Sequence, residues 1–509
     1  MMTPDTSHMP DPVRRTPSPA RLAVAATCAL LACHPCAGGT VPGDDPLVPE
    51  RMMVRVPDPE RLGALVAAAS ALFDDVAVID RIDGREIHLL RYVLRPGQTI
   101  DAADAFCVAQ VALGVAVWAE LNYEGQSGEG KTDSFWMSQV TVDPSIFETQ
   151  YAFPLIGLPA ARDRSTGAGT LIAILDTGVS GQHPALGDSV RLDAVSFVQG
   201  AVPGDGGNGL DDDGDGLVDE QLGHGTFVAG LVHAVAPGAR LLPVTVLNSD
   251  GIGDLWGIAK GMAHAIDAGA DVINMSLGST YSSALLEDIA LEAETKGAVV
   301  VAAMGNLARE QPEEYPASLT TAFGVCATDD ADRKAGFSNY NDKADLCAPG
   351  ATVLVGTSVD PARAVFGPVP GGGYVAWEGT SFATAFVSGT AALARAQHPE
   401  WPDATVPVGA IPDRILQIIT DSAVAVDASN PEFAGLLGAG RLSAAAATAL
   451  GPPQPRIGDL NLDGKVDGDD LGKLLANWAL PCGHGCRADL NRDGEVNADD
   501  LGKLLASWG

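Results

Sequence analysis

Positively charged side chains are scarce in this chain. Of its 509 residues, 31 are Lys or Arg and 65 are Asp or Glu, which gives a formal net charge of -34 at pH 7. Because such a field repels polyanions, the composition argues against nucleic acid or an anionic membrane surface as a partner. The same charge favours cations and solubility.

Long apolar runs are also missing beyond the first forty residues, so no transmembrane helix is predicted there. Near the start, three arginines precede the run LAVAATCALLAC, which ends at Cys33, and this pattern predicts an export signal over residues 1–38. LLAC resembles the lipobox at which bacterial lipoproteins are acylated on the cysteine, here Cys33. Acylation of Cys33 and ordinary signal cleavage nearby both stay open, and either predicts a secreted or cell-surface protein.

Cysteine is sparse, with eight residues in all. Five follow the signal, and an exported chain meets oxidising conditions in which they can form disulfides: Cys107, Cys326, Cys347, Cys482 and Cys486. Cys482 and Cys486 in PCGHGC are close enough in sequence to pair. His484 between them makes metal binding the alternative.

The length predicts two or three folded units. Residues 50–123 mix short strand-like runs with the apolar helical stretch RLGALVAAASALF, which predicts a small α+β unit. Residues 124–150 begin with EGQSGEGKTDS, a linker by composition. Residues 151–450 alternate apolar runs such as TLIAIL and AVVVAA with helical segments, which predicts an α/β fold with a doubly wound, mostly parallel sheet. Residues 451–458, GPPQPRIG, separate this domain from an acidic repeat pair over 459–509.

Three short motifs of the α/β domain lie where such a sheet exposes side chains. ILDTGV puts Asp176 after a strand, GHGT puts His224 before a helix, and GTSFATA puts Ser381 at a helix start. A serine hydroxyl needs a base to become a nucleophile, and that imidazole needs a carboxylate to hold its tautomer. The three residues supply those parts.

The order Asp, His, Ser together with GHGTFVAG, DVINMSLG and GTSFATA resembles the subtilisin-like serine proteases over roughly residues 151–450. The resemblance implies that Asn306, in AAMGN, donates to the oxyanion, with the backbone amide of Ser381 as a second donor. It also implies that DGIG and SLG pair with an extended peptide substrate. The implied substrate-binding residues are Ser276, Leu277, Gly278, Gly251, Gly253, Ala303 and Gly305.

The chain departs from the family at three positions. Ala385 and Phe386 stand where Pro and His are common, and Phe227 replaces a usual His. An acidic loop, GDGGNGLDDDGDGLVDE over 204–220, matches the first half of a calcium loop but lacks the closing carboxylate, because Leu222 stands there. A calcium site and a solvated surface loop both stay open for this segment.

The end of the α+β unit, GVAVWAELNY, resembles the close of subtilase propeptides, with Leu121 in place of the usual Pro. This implies a zymogen whose leading domain is removed by self-cleavage between Tyr123 and Tyr151. A permanent accessory domain is the alternative.

The tail carries two copies of one acidic unit, DLNLDGKVDGDDLGKLLANW and DLNRDGEVNADDLGKLLASW. Oxygen ligands at loop positions one, three, five, seven, nine and twelve specify calcium. The first loop supplies Asp459, Asn461, Asp463, Lys465, Asp467 and Asp470, and the second Asp489, Asn491, Asp493, Glu495, Asn497 and Asp500. A loop with one following helix, duplicated, resembles a dockerin module, a small helical EF-hand-like unit, which implies Ca²⁺ and a cohesin-type or cell-surface partner.

These patterns predict an exported serine endopeptidase that acts on polypeptides through an acyl-enzyme and is docked through its tail. The alternative is a non-catalytic adhesion or scaffold protein that reuses the protease fold.

Overall fold

The computed structural model describes residues 46–129, 137–198, 204–212, 214–355, 358–403 and 406–449, and in the tail residues 458, 460, 466, 468–476, 478, 488, 490 and 496–508. The predicted export signal with Cys33 lies outside the described residues, and so do Cys482 and Cys486. Among the residues described, no helix has the length and apolarity needed to cross a membrane.

The N-terminal unit is an antiparallel sheet with two helices. Its elements are β1 Leu47–Arg55, α1 Pro59–Leu72, β2 Asp74–Ile82, β3 Ile87–Val93, α2 Ile100–Ala112 and β4 Trp118–Ser127. The strands lie in the order β2, β3, β1, β4. Met52, Leu65 and Phe106 belong to the buried core of this unit. The observed β-α-β-β-α-β order agrees with the small α+β unit that the sequence predicts.

The α/β domain is built on a seven-stranded sheet in the order β14, β13, β12, β10, β6, β8, β7, and its neighbouring strands pair in parallel. Its elements up to the fourth sheet strand are β5 Met137–Thr141, α3 Ser145–Glu148, α4 Ala152–Leu155, α5 Leu158–Arg162, β6 Leu171–Asp176, β7 Val195–Ser196, α6 His224–Val235, β8 Arg240–Thr245, β9 Ile252–Asp254, α7 Leu255–Asp267 and β10 Val272–Met275. The remaining elements of the domain are β11 Leu277–Gly278, α8 Ala284–Lys296, β12 Val299–Ala303, β13 Ala322–Thr328, β14 Leu346–Pro349, β15 Leu354–Val355, β16 Ser358–Val359, β17 Val365–Val369, β18 Gly373–Trp377, α9 Thr380–Ala396, α10 Ile411–Asp421 and α11 Ala444–Ala447.

Apolar residues of the central strands alternate between two cores. On β6, Ile172 and Ile174 face the core that contains α6 and α9, whereas Ala173 and Leu175 face the core that contains α7 and α8. A strand buried on both faces needs apolar residues at every position, which is why the run TLIAIL shows no polar alternation. The predicted doubly wound α/β sheet is confirmed.

The N-terminal unit lies against α7 and α8. Arg85 forms ion pairs with Asp267 and Glu292, one on each helix. Glu120 accepts hydrogen bonds from Ser283 Oγ at 2.6 Å and from the backbone N–H groups of Ala284 and Leu285 at 3.0 Å each. The Glu120 carboxylate therefore accepts hydrogen bonds from the first N–H groups of α8 and lies at the positive end of that helix.

Part of the segment expected to be a linker, residues 124–150, has regular structure. Strand β4 continues to Ser127, where it pairs with β11 and β9, and β5 pairs with β18. The composition of 124–129 is that of a linker, but β-pairing with distant strands fixes its backbone.

The tail contains α12 Gly468–Ala476 and α13 Ala498–Ala506. Corresponding residues of the two repeats share one small core, namely Val466 with Val496 and Leu474 with Leu504. Each repeat alone has too little apolar surface for a core, so the duplication serves stability.

Candidate active site

The three residues predicted as a triad come together at the carboxyl edge of the sheet. Asp176 is the last residue of β6, His224 is the first of α6, and Ser381 lies in the first turn of α9. His224 Nδ1 lies 2.7 Å from Asp176 Oδ1, and all three side chains are buried. The carboxylate thus orients the ring so that Nε2 faces the serine side of the site.

The carboxylate of Glu129 contacts Ser381, His224 and Asn306. Its Oε2 accepts from Ser381 Oγ at 2.7 Å and lies 3.1 Å from His224 Nε2. Its Oε1 accepts from Asn306 Nδ2 at 3.0 Å. The hydroxyl of Ser381, the ring of His224 and the amide of Asn306 therefore converge on one point, which an acidic side chain of the same chain occupies.

Asn306 is held in a donating orientation by Thr380. The amide oxygen of Asn306 accepts from Thr380 N at 2.9 Å and from Thr380 Oγ1 at 2.8 Å, so its nitrogen must face the cleft. A fixed donor of this kind stabilises developing negative charge without reorganisation.

The residues around Gly125 lie in the cleft as an extended strand. Gly125 pairs with Gly253 of β9, Gln126 and Ser127 pair with Gly278 and Leu277 of β11, and Ser127 N donates to Gly251 O at 2.9 Å. The expected substrate-binding strands therefore sandwich a segment of the chain itself, as β-augmentation requires.

The other residues predicted to bind substrate border the same end of that strand. Ser276 O accepts from Ser381 Oγ at 3.2 Å, and a Cβ on Gly128 would lie 3.7 Å from Gly305 Cα. Ala303 ends β12 and is buried.

Comparison with known proteins agrees with this geometry. The sequence profile of the subtilase family, peptidase class S8, matches residues 167–440. This chain belongs to the subtilase family. Subtilisin BL of Lederbergia lenta is 38% identical over 258 residues, which cover 49% of this subtilase and 84% of that protein. Thermitase of Thermoactinomyces vulgaris is 36% identical over 265 residues, covering 50% of this chain and 85% of the relative. The chain is accordingly a serine-type endopeptidase.

A solved structure shows the same fold over a longer stretch. Fervidolysin from Fervidobacterium pennivorans, described as a keratinolytic enzyme related to subtilisin, superposes with a TM-score of 0.61 at 21% identity. The superposition covers 82% of this subtilase and 63% of that chain. At this identity the likeness concerns the fold.

The pKa of His224 in this subtilase is strongly perturbed. Burial alone would lower it, but the charges and hydrogen bonds of Asp176 and Glu129 outweigh burial and raise the pKa to about 10. At neutral pH the ring is therefore the imidazolium, which donates from both nitrogens. A protonated imidazole cannot accept a proton from the Ser381 hydroxyl.

Asp205 is a buried residue that the sequence patterns did not single out. It accepts from Thr177 Oγ1 at 2.7 Å, from Thr226 Oγ1 at 2.6 Å and from Thr226 N at 2.9 Å. It thereby ties the end of β6, which carries Asp176, to the start of α6, which carries His224. Burial raises the pKa of Asp205 to about 6, although these hydrogen bonds oppose the shift.

The three departures from the family pattern are packing positions. Phe227 contacts Phe382 at a ring-centroid distance of 4.2 Å, and Phe386 contacts Phe153 edge-on at 6.2 Å. Both phenylalanines and Ala385 are buried. The replacements therefore exchange polar or rigid side chains for apolar contacts behind the site.

Carboxylates of the acidic loop bind their own backbone. Asp211 accepts from Gly214 N at 2.7 Å and from Gly216 N at 3.1 Å, and Asp219 accepts from Asn208 N at 2.8 Å. Within the described part of the chain, no three His, Cys, Asp or Glu residues are grouped as a metal site. Calcium binding by 204–220 stays a prediction.

The three described cysteines of this subtilase are free and buried. Cys326 and Cys347 are register partners on β13 and β14. Burial raises the pKa of the Cys326 thiol to about 12. None of these three cysteines, among the described residues, forms a disulfide.

Of the predicted calcium ligands, Asp470, Asn497 and Asp500 belong to the described residues, and the others lie outside them. Asp470 is fully buried and accepts from Leu460 N at 2.6 Å, which joins loop position twelve to position two. Asp500, also buried, accepts from Asn497 N at 2.9 Å. These two buried carboxylates, at corresponding positions of the repeats, are hard oxygen donors of the kind that calcium takes.

Proposed function

We propose that this subtilase is an exported zymogen that cleaves polypeptides through Asp176, His224 and Ser381. The observation that carries the proposal is the convergence of Ser381, His224 and Asn306 on one carboxylate, with the cleft strand leading into that point. A non-catalytic scaffold would have no need of this convergence, so we favour the enzyme over the adhesion alternative.

In the reaction, a substrate carbonyl takes the place of the Glu129 carboxylate. Ser381 Oγ attacks the carbonyl carbon and its proton passes to His224 Nε2, while Asp176 stabilises the imidazolium that forms. Asn306 Nδ2 and the Ser381 amide, at the positive end of α9, hold the oxyanion. His224 then protonates the leaving amine, and water hydrolyses the acyl-enzyme by the reverse proton transfers.

We expect phenylmethylsulfonyl fluoride to label Ser381 in the processed protein, and labelling to end casein hydrolysis. The reagent reacts with a serine activated by a neighbouring imidazole. Mass spectrometry of the labelled peptide identifies the residue, and the Ser381→Ala protein is the control. Correctly processed protein that is neither labelled nor able to hydrolyse casein would favour the scaffold alternative.

The N-terminal unit acts, in this proposal, as a propeptide. Regular pairing in the cleft ends at Ser127, and the catalytic groups surround the next two residues. The self-cleaved bond is therefore Gly128–Glu129. This position lies between Tyr123 and Tyr151, as the sequence predicts. Export of the chain, with the fate of Cys33, belongs to the same proposal.

The tail is proposed as a calcium-dependent docking module for a cohesin-type or cell-surface partner. Calcium bound in each loop would be held by hard oxygen ligands that include Asp470 and Asp500. Because the bound ion would neutralise several carboxylates of each repeat, calcium binding would be coupled to folding of the tail.

We expect calorimetry of the full chain to show two calcium ions bound by the tail, lost on replacing both Asp470 and Asp500 with Asn. The position-twelve carboxylate is the ligand that closes each loop. Glu432→Gln, a charge change outside the tail, serves as control. Equal calcium uptake by the double variant would remove the docking module from the proposal.

A further inference from the structure

The buried carboxylate of Glu314 lies beside Gly278 and Gly305, two of the residues predicted to bind substrate. Glu314, with 2% of its side chain exposed, follows the loop that begins after Asn306. A Cβ built on Gly278 would lie 3.1 Å from Glu314 Oε2, and one built on Gly305 would lie 2.9 Å from Glu314 Cγ. The acid side chain thus touches both walls of the pocket that receives the substrate residue before the cut bond.

Arg309 fills the space beside Glu314. Its guanidinium donates to Glu314 Oε1 at 3.2 Å, and 18% of its side chain is exposed. Asn339 Oδ1 accepts a hydrogen bond from Arg309 N at 3.1 Å, and this bond restrains the backbone of the loop at Arg309. The pocket therefore ends in a neutralised ion pair that belongs to the protein itself.

The segment around Glu314 is fixed as firmly as that around Arg309. Tyr315 and Ser279 exchange two backbone hydrogen bonds, of 2.8 and 2.9 Å, which hold the neighbouring Glu314 against Gly278. Glu314 thus has little freedom to withdraw when a substrate side chain enters.

We propose that the Arg309–Glu314 pair closes the specificity pocket, so that this enzyme cleaves after small residues such as glycine, alanine and serine. The inference rests on the proposed peptidase function and names its substrate class. A large apolar side chain would have to separate the pair and bury an unpaired charge. An acidic substrate side chain would be repelled by the charge of Glu314. A basic one would have to displace Arg309 from its ion pair with Glu314.

The chain's own cleft strand agrees with this preference. Its residue at the reacting position is Gly128, and a Cβ there would lie 2.9 Å from Asn306 Nδ2 and point toward Gly305. Because glycine has no side chain, nothing has to enter the closed pocket when Gly128 occupies this position.

The test compares kcat/KM for succinyl-Ala-Ala-Pro-X p-nitroanilides with X as Ala, Phe or Lys. For the processed wild type we expect Ala to exceed both others by about tenfold, the size of discrimination that an apolar pocket can reach. In an Arg309→Ala/Glu314→Gly variant, which removes both charges, the ratio of Phe to Ala should rise by about tenfold. Glu310→Gly, an exposed change in the same loop, should leave the ratio unchanged.

The outcomes separate the two proposals. Wild-type protein that is labelled at Ser381 but prefers Phe or Lys overturns the closed pocket and leaves the peptidase function intact. A complete lack of labelling and hydrolysis overturns the function, and the pocket inference with it. If the double variant does not fold, the wild-type ratios decide alone.

Discussion

Replacing Ser381 by Ala is expected to abolish peptide hydrolysis and to leave the bond between Gly128 and Glu129 intact. In the proposed mechanism the Ser381 hydroxyl is the nucleophile that forms the acyl-enzyme. Activity should fall by about a millionfold, the loss found for the serine of subtilisin, which belongs to the same family. The chain should accumulate with its N-terminal unit still attached.

The measurement is a time course of purified protein on a denaturing gel, with N-terminal sequencing of any product. Wild type should yield a new N-terminus at Glu129. Ser358→Ala, an exposed serine of β16, should process like wild type. Trimming of the Ser381→Ala protein to the same terminus in a host without other proteases would contradict self-cleavage.

Replacing Glu129 by Gln is expected to speed self-cleavage at pH 7 by about a hundredfold. A neighbouring carboxylate raises a histidine pKa by about one to three units, and each unit changes the neutral fraction tenfold. His224, with a pKa of about 10, is nearly all protonated at pH 7 and gains neutral form as the pH rises. Removal of the Glu129 charge lowers the pKa of His224, so a larger fraction of its imidazole is neutral at pH 7.

The rate of precursor conversion, measured from pH 6 to pH 10, tests this expectation. Wild type should accelerate toward the alkaline end, and the Glu129→Gln profile should be displaced to lower pH. Glu124→Gln makes the same charge change earlier in β4 and should keep the wild-type profile. Superimposable profiles for Glu129→Gln and wild type would show that Glu129 does not hold His224 protonated.

The parts of the site that the sequence predicts are those fixed by local pattern. Asp176, His224 and Ser381 each stand in a motif at a strand end or helix start, and a doubly wound sheet brings such ends to one edge. Asn306 follows the same rule. The alternation of apolar runs and helices predicts the layers, since each central strand is buried on both faces.

Glu129 escapes prediction because its place depends on distant strands. The letters EGQSGEG carry no periodicity and many glycines, which is the composition of a linker. Their extended form comes from pairing with β9 and β11, more than a hundred residues further along the chain. Local propensity holds no information on that pairing.

Thr380 and Asp205 were missed for a related reason. Each acts on a residue far away in sequence, Thr380 on Asn306 and Asp205 on Thr226 and Thr177. The contact of Glu314 with Gly278 and Gly305 likewise depends on three-dimensional packing, which the local sequence does not specify.

Strand β4 connects the N-terminal unit to the cleft. It pairs with β1 of that unit and also with the cleft strands β9 and β11. In the proposed zymogen this strand is tethered to the enzyme before self-cleavage, so its effective concentration in the cleft does not depend on the protein concentration. After the cut it is a separate molecule, and occupancy of the cleft follows mass action. Dilution on leaving the cell would then suffice to free the enzyme.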